Sequence, residues 1–210
     1  VYSNSPIQDG LTSVNCSSLS LHNYTLDFSA AKDYNTTKIN STTTSDKDQE
    51  IGFGAPSFFF IDLSHNQLTS VEPYIKGDVI SINSTFQIQA NTLIFSFNNI
   101  IQVQAGHFNL YTEIVNLDLS YNQIEWLDSE VFVKLQTIVK LNLSHNALEE
   151  LDNNMFQFLD NVNVLDLSYN NLSIFLLDKL HALSSLQYLY LNNNNLYSVT
   201  SSTLNMHSNS

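Results

Sequence analysis

Apolar residues recur along this chain at fixed distances from a series of asparagines. Counted from each asparagine, apolar side chains occupy positions −8, −5, −3, +2 and +5, and others follow at +10 and +13. The last five asparagines are 24 residues apart, whereas the first precedes the second by 32. So many matched positions in consecutive units indicate an internal repeat. The repeat asparagines are Asn66, Asn98, Asn122, Asn146, Asn170 and Asn194.

The hydrophobic pattern also predicts the local structure of each repeat. The apolar step from −5 to −3 has the two-residue period of a strand, which turns both side chains inward. A single coil cannot bury its own apolar side, but stacked coils share one continuous core. We therefore predict an α/β solenoid over 58–204, a curved array with a short parallel strand per repeat on its concave face. The predicted strands are 61–63, 93–95, 117–119, 141–143, 165–167 and 189–191.

The repeat asparagines are predicted to have a structural role. A turn that follows a buried strand leaves backbone N–H and C=O groups that need partners. Asparagine tolerates non-extended backbone conformations, and its side chain can bond such groups. We expect the six stacked side chains to form an asparagine ladder along the array.

Two segments show which kind of repeat this is: "LDLSYNQI" at 117–124 and "LNLSHNAL" at 141–148. The array resembles the 24-residue class of extracellular animal leucine-rich repeats, in particular those of insects. Toll-type receptor ectodomains, adhesion proteins and soluble immune repeat proteins belong to that class. The resemblance implies a non-enzymatic protein-binding module of a secreted or cell-surface recognition or adhesion protein, with innate immunity as one setting. The implied partner is a protein ligand or a co-receptor.

The chain is predicted to have two parts, an N-terminal segment at 1–57 and the repeat array at 58–210. The longer step between the first two repeat asparagines predicts an insertion near 72–89. Because the last coil lacks a polar cap, the array is expected to be truncated at its C-terminus.

The N-terminal segment differs in composition from the array. Its polar stretch 32–50 is predicted to be a loop or a disordered linker. Leu19, Leu21 and Leu26 have the spacing of a degenerate first repeat with Tyr24 at the asparagine position. The same residues also fit an edge strand.

Charge and composition limit the classes of partner that the chain is expected to bind. The chain has 7 Lys and Arg against 20 Asp and Glu, a formal net charge of −13. That charge argues against nucleic acid and against an anionic membrane surface, and it favours a neutral or basic partner. No apolar run is long enough to predict a membrane span. With 5 glycines and no G-x-G-x-x-G or Walker pattern, no cofactor is expected.

Cys16 is the only cysteine, so no disulfide within the chain is possible. It fits a buried free thiol, an intermolecular bridge, or one half of an end cap whose partner is missing.

Several N-x-S/T sequons favour passage through the secretory pathway. The glycosylation candidates are Asn15, Asn23, Asn35, Asn40, Asn83 and Asn171. Asn142 also begins a sequon, but it lies on a predicted strand and points to the strand-lined face. We expect that sequon not to be used.

The outward positions −6, −4 and −1 form a candidate partner-binding face. Tyrosine and phenylalanine supply rigid contact area there, beside carboxylates. The alternative is that "LDLSxN" is merely what such repeats tolerate, and the serines at −2 are expected to be structural. The candidate binding residues are Phe60, Asp62, His65, Phe97, Asp118, Tyr121, His145, Asp166, Tyr169, Tyr188 and Tyr190.

Catalysis is not expected. His65 and His145 lie in separate repeats, and the nearby serines are repeat positions rather than a singular nucleophile. No His or Cys cluster has metal-ligand spacing. The runner-up to a recognition module is a structural scaffold that mediates homo- or hetero-oligomer assembly.

Overall fold

The computed structural model describes residues 12–27, 36–42, 49–54, 57–72, 74–76 and 88–200. The only helix within these ranges is the short 3-10 helix Leu177–Leu180. The strands, in chain order, are β1 (Thr12–Asn15), β2 (Asn23–Asp27), β3 (Thr36–Thr42), β4 (Gln49–Gly54), β5 (Ser57–Asp62), β6 (Tyr74–Lys76), β7 (Ile88–Ile94), β8 (Gln102–Val103), β9 (Tyr111–Thr112), β10 (Asn116–Asp118), β11 (Trp126–Leu127), β12 (Lys140–Asn142), β13 (Val164–Asp166), β14 (Ile174–Leu176), β15 (Tyr188–Tyr190) and β16 (Ser198–Thr200).

One parallel sheet runs the length of the array in the order β1-β5-β7-β10-β12-β13-β15, and β9 pairs with the start of β7. The register follows the repeat, so that Leu117, Leu141, Leu165 and Leu189 lie side by side. On the far side of the coils, β8 pairs with β11 and β14 with β16. The predicted parallel-strand solenoid is confirmed.

The α part of the predicted α/β label is not confirmed. The return segments close through single turns, as where the Leu135 N–H donates to the Phe132 carbonyl at 2.9 Å. The same bond joins Leu159 and Phe156 at 3.0 Å. Two apolar residues three positions apart both reach the core within a single turn. A helix of several turns is therefore not needed to bury them.

Four of the repeat strands begin and end one residue earlier than predicted, as at β10. The reason is the carbonyl at position −3. The Leu119 carbonyl accepts the Nδ2 groups of Asn122 and Asn146, at 3.1 and 3.0 Å, instead of a neighbouring strand. The asparagine ladder therefore ends each strand. The first two array strands, β5 and β7, also start several residues earlier than predicted.

The core lies between the sheet and the return segments. The inward leucines of the strands up to β13 are buried, as are the phenylalanines at +10, whereas Leu189 on β15 is half-buried. Burying one such side chain stabilises the fold by roughly 1.5–3 kcal/mol. The largest buried rings of the array are Phe95, Phe108, Tyr111, Phe132, Phe156 and Phe175.

A degenerate first coil is present, but its predicted alignment is wrong by five residues. Strand β1 pairs with β5 so that Asn15 lies opposite Asp62. This register puts Leu19, not Tyr24, at the asparagine position, and Cys16 at −3. Cys16 and Leu21 are buried. The prediction took Leu19 and Leu21 as the two inward residues of the strand, but both residues follow strand β1.

The polar stretch 32–50 is not wholly a loop, because residues 36–42 form β3 and β4 begins at residue 49. The threonines and isoleucine of β3 favour an extended chain. Strands β4, β3, β2 and β6 form a separate sheet, in which β6 belongs to the predicted insertion near 72–89. The insertion therefore pairs with the N-terminal segment.

No helix in the described part of the chain is long and apolar enough to cross a membrane. The last predicted repeat position, Leu204, lies outside the described residues.

Candidate functional site

The asparagine ladder joins each coil to the one before it. Nδ2 of Asn146 donates to the Leu143 and Ser144 carbonyls of its own coil at 3.1 and 3.2 Å. It also donates to the Leu119 carbonyl of the preceding coil at 3.0 Å, and Oδ1 accepts the Ile124 N–H at 2.9 Å. Bonds of the same kind are made by Asn66, Asn98, Asn122, Asn170 and Asn194.

Position −1 has a left-handed backbone in every coil from 65 to 193, with φ values such as 52° at Tyr121 and 57° at Asn193. This conformation costs a non-glycine residue roughly 1–2 kcal/mol. A backbone bond accompanies it, because the Tyr121 N–H donates to the Ser144 carbonyl of the next coil at 3.1 Å. One residue in the sequence indicates this left-handed backbone. Asn193 occupies the −1 position, and asparagine favours the left-handed conformation.

The aromatic residues at −1 form a continuous stack, here called the ring ladder. Successive ring centroids are 4.2, 4.1, 3.9 and 4.1 Å apart, and the ring planes deviate by 9° to 11°. Each stacked pair contributes about 0.5–1.5 kcal/mol beyond the burial of its area. The ring ladder consists of His65, Phe97, Tyr121, His145 and Tyr169.

Stacking decides which parts of these rings a ligand can reach. The faces of the three inner rings are covered by their neighbours, so their edges carry the exposed surface. Phe97, Tyr121 and Tyr169 are exposed, and His145 is half-buried. The ring ladder therefore offers a rigid row of edges with phenol and imidazole hydrogen-bonding groups.

The strand-lined face consists of the outward side chains at −6 and −4. Its carboxylates are half-buried and partly used by the fold. Oδ1 of Asp118 accepts the Ser120 N–H, and Oδ1 of Asp166 accepts the Ser168 N–H, both at 2.9 Å. In the same way, Oδ1 of Asp62 accepts the Ser64 N–H. The acids at −4 thus stabilise the turns after their strands and also face outward on the strand-lined face.

The exposed residues of this face lie on β12 and on the two end strands of the sheet, β1 and β15. Lys140 is exposed on β12, and Tyr188 and Tyr190 are exposed on β15, at 53% and 45%. Phe60 on β5 is half-buried. Tyr190 lies beside Asp166 in register, and Tyr188 lies beside Val164.

The serines at −2 are buried, at positions 64, 96, 120, 144 and 168. A buried hydroxyl has no direct access to a partner, so this column supports the fold.

A shallow open groove of about 730 Å³, here called the amide groove, runs beside the ring ladder. It is lined by residues of the ring ladder, by repeat asparagines and by the exposed amide side chains at +1 in three of the coils, Asn99, Gln123 and Asn171. No pattern in the sequence predicted this groove. Its lining residues are Phe97, Asn98, Asn99, Tyr121, Asn122, Gln123, His145, Asn146, Tyr169, Asn170, Asn171 and Asn193.

The candidate histidines are held apart by the ring ladder, in which Phe97 and Tyr121 lie between His65 and His145. Among the residues the structure describes, no group of three or more His, Cys, Asp or Glu is placed to hold a metal ion. Cys16 is a buried free thiol. Burial raises the pKa of this thiol from about 9 to about 12, and the Asp62 carboxylate adds to the rise.

The sequons differ in their surroundings. Asn171 is exposed, and so is Asn15, whose Nδ2 donates to Asp62 at 3.3 Å. Asn142 is half-buried, and its Oδ1 accepts the Ser144 N–H at 3.1 Å. Asn23 and Asn40 lie on strands, whereas Asn35 and Asn83 lie outside the described residues.

A family model described as "Leucine rich repeat" matches residues 89–148 and 136–196, just over half of the chain. A second, "Leucine Rich Repeat", matches residues 185–209. No curated protein matches.

Two solved structures are similar to part of this chain. The functional domain of InlJ from Listeria monocytogenes, described as including a cysteine ladder, is 23% identical over 65% of this chain, with a TM-score of 0.44. The leucine-rich repeat domain of APL1 is 22% identical over 70% of this chain, with a TM-score of 0.43. The chain spans 25% and 40% of the lengths of these two structures.

Proposed function

Because the chain belongs to the leucine-rich repeat family, whose domains are commonly protein-interaction modules, we propose that it binds a protein partner on its strand-lined face. The module is non-enzymatic, as leucine-rich repeat proteins typically are. It serves a secreted or cell-surface protein with a role in recognition or adhesion, and innate immunity is one such role.

The observation that carries this proposal is the pair of exposed tyrosines on β15. Tyr188 and Tyr190 stand on a strand that backbone hydrogen bonds fix to β13. A side chain held on a rigid strand loses little conformational freedom on binding. Tyrosine is also among the residue types that contribute most to protein interfaces.

Charge indicates the kind of partner. The chain carries a net charge of −13, and Asp166 lies beside Tyr190 on this face. One Asp166 oxygen, Oδ1, is occupied by the Ser168 N–H and hydroxyl. The other oxygen is a suitable acceptor for a basic side chain. A neutral or basic protein surface is therefore the electrostatically favoured partner.

The extracellular setting is supported by the sequons and by the exposure of Asn15 and Asn171. Glycans at exposed positions are compatible with the fold.

The test uses the full chain, immobilised through one terminus, to capture proteins from extracellular fluid of the source organism. The captured protein is identified by mass spectrometry and then titrated by calorimetry against two variants. Tyr188→Ser combined with Tyr190→Ser changes the strand-lined face. Trp126→Ser, with a side chain 49% exposed on β11 outside that face, is the matched control.

We expect the double variant to weaken binding of the identified partner about tenfold or more. The control should bind within about twofold of the unchanged chain. Loss of binding in the control with full binding in the double variant would refute the proposal. Unchanged binding with an altered oligomeric state, measured by light scattering, would favour the assembly role.

A further inference from the structure

The two ends of the described array differ in how well they bury the same repeat positions. Cys16 and Leu21 stand at −3 and +2 of the first coil, and both are only 1% exposed. Leu191 and Leu196 stand at −3 and +2 of the last described coil, and both are half-buried. Within the described residues, β1 and β15 each have a neighbouring strand on one side only. Something other than a repeat coil therefore covers the N-terminal end of the core.

The four-stranded sheet β4-β3-β2-β6 lies where it can provide this cover. β2 begins two residues after Leu21, so the chain enters this sheet directly from the first coil. β6 follows the coil of Asn66 and pairs in parallel with β2, as β8 pairs with β11 in later coils. The strand order then puts β3 and β4 beyond β2, on the side away from the array. Since neighbouring strands lie about 4.8 Å apart, these two strands extend roughly 10 Å past the first coil.

The register of this sheet divides its residues between two faces of different chemistry. Successive residues of a strand belong to opposite faces, whereas paired residues share a face. Leu26 on β2 pairs with Ile39 on β3 and with Ile75 on β6, and Ile39 pairs with Ile51 on β4. One face thus has an apolar residue from every strand in a single line across the sheet. These four residues are here called the apolar row.

The opposite face is polar and includes two sequons. Asn23 pairs with Thr42 and Asn40 pairs with Thr25, so each asparagine lies opposite the threonine of the other sequon. Glu50 on β4 pairs with Asn40 on the same face. One apolar and one polar face are typical of an antiparallel sheet that packs on a core with one side and meets water with the other. The core nearest to this sheet is the end of the array.

We propose that the sheet β4-β3-β2-β6 is the N-terminal cap of the array. It folds across the first coil so that the apolar row covers Cys16 and Leu21, while Asn23 and Asn40 lie on the outer surface. Such a cap is required because an uncovered end coil would leave its apolar positions in water. With a single cysteine in the chain, packing closes this cap instead of an internal disulfide. The cap does not depend on the partner-binding function proposed above.

A first experiment asks whether the apolar row is covered. Ile39→Cys and Asn40→Cys place a thiol on either face of β3, each in full, unglycosylated chain that also carries Cys16→Ala. Mass spectrometry follows the reaction of each thiol with iodoacetamide. We expect the thiol introduced by Ile39→Cys to react at least about tenfold more slowly, because a buried thiol is inert. Equal rates would show that this face is open to solvent and would overturn the proposal.

A second experiment asks whether the apolar row covers the first coil, with Cys16 as the reporter. Ile39→Asp puts a carboxylate into the apolar row, which is unfavourable if that row is buried. Asn40→Asp puts the same charge on the adjacent residue and is the matched control. We expect Ile39→Asp to speed the alkylation of Cys16 at least about tenfold, and the control to stay within about twofold. The emission of Trp126, the only tryptophan, shows whether the later coils remain folded.

If Ile39→Asp shifts the Trp126 emission to that of the denatured chain, the milder Ile51→Ala replaces it. Its control is Glu50→Ala, on the other face of β4. An unchanged Cys16 rate in the folded apolar-row variant, or an equal rise in variant and control, would contradict the proposal. A slow thiol in Ile39→Cys together with an unchanged Cys16 rate would overturn it as well. That result would mean that another surface, such as a second copy of the chain, covers the apolar row.

Discussion

At the scale of single residues, two neighbouring positions in each repeat have opposite energetic effects. The residue at −1 takes a left-handed backbone, which is unfavourable for histidine, phenylalanine and tyrosine. The asparagine that follows it bonds backbone groups of two coils. Ring stacking and these side-chain bonds together offset the backbone strain, so the turn is stable only as part of a stack.

Asn146→Ala should destabilise the array, because it leaves the Ile124 N–H without its side-chain partner and removes one of the two asparagine donors to the Leu119 carbonyl. We expect the free energy of unfolding to fall by about 1–3 kcal/mol. Chemical denaturation followed by circular dichroism measures it. Asn171→Ala removes an exposed amide one coil away and should change stability by less than about 0.5 kcal/mol. Equal effects of the two substitutions would contradict the ladder's stabilising role.

Tyr121→Asn tests the ring ladder. Asparagine suits the left-handed backbone, as Asn193 shows at the same position, so the loss should come from the two ring contacts. We expect a loss of about 0.5–1.5 kcal/mol for each contact, measured by thermal unfolding. The same change at Tyr197, which is 76% exposed, is the control and should be close to neutral. A neutral Tyr121→Asn would show that stacking adds no stability.

At the scale of one element, the coil was largely predictable from the sequence. Its buried positions must be apolar in every repeat, so they recur as columns of apolar residues. The strand ends were not, because they depend on bonds between an asparagine of one coil and a carbonyl of the next. The first coil was misaligned for a related reason. Cys16 occupies the inward position that leucine fills in every later coil but that of Phe95, and only its pairing partner on β5 reveals this.

Cys16 provides a reporter for this first coil, since it is the only thiol of the chain. Its raised pKa of about 12 leaves roughly five hundredfold less thiolate at pH 9 than a pKa near 9 would. We expect alkylation by iodoacetamide to be very slow in the folded chain and fast in denaturant. Mass spectrometry over time follows the reaction. Equal rates in both states would show that the coil does not bury the thiol.

The raised pKa of Cys16 also makes the stability of the fold depend on pH. Because the folded state raises this pKa, it holds the proton more tightly than the unfolded state does. The resulting stabilisation is fully present below pH 9 and is lost as the pH rises toward 12.

At the scale of the whole molecule, the coils form two surfaces of different chemistry. The strand-lined face carries exposed tyrosines beside half-buried acids, whereas the lining of the amide groove contains no Asp, Glu, Lys or Arg. The sequence could place residues such as Tyr121 and Asp118 in columns, because the repeat period fixes their order. It could not show the ring stack or the groove, since both arise from the approach of side chains in successive coils.

The claim that the strand-lined face receives a partner is tested most directly by the modification state of Asn142. This residue lies on β12, the fifth of the seven strands that run side by side along the array in this eight-stranded sheet. A glycan there would cover Asp118 and Asp166 on the adjoining strands. Mass spectrometry of glycopeptides from protein secreted by insect cells measures its occupancy. The account predicts an unmodified Asn142 together with glycans at Asn35 or Asn83, whereas high occupancy at Asn142 would contradict it.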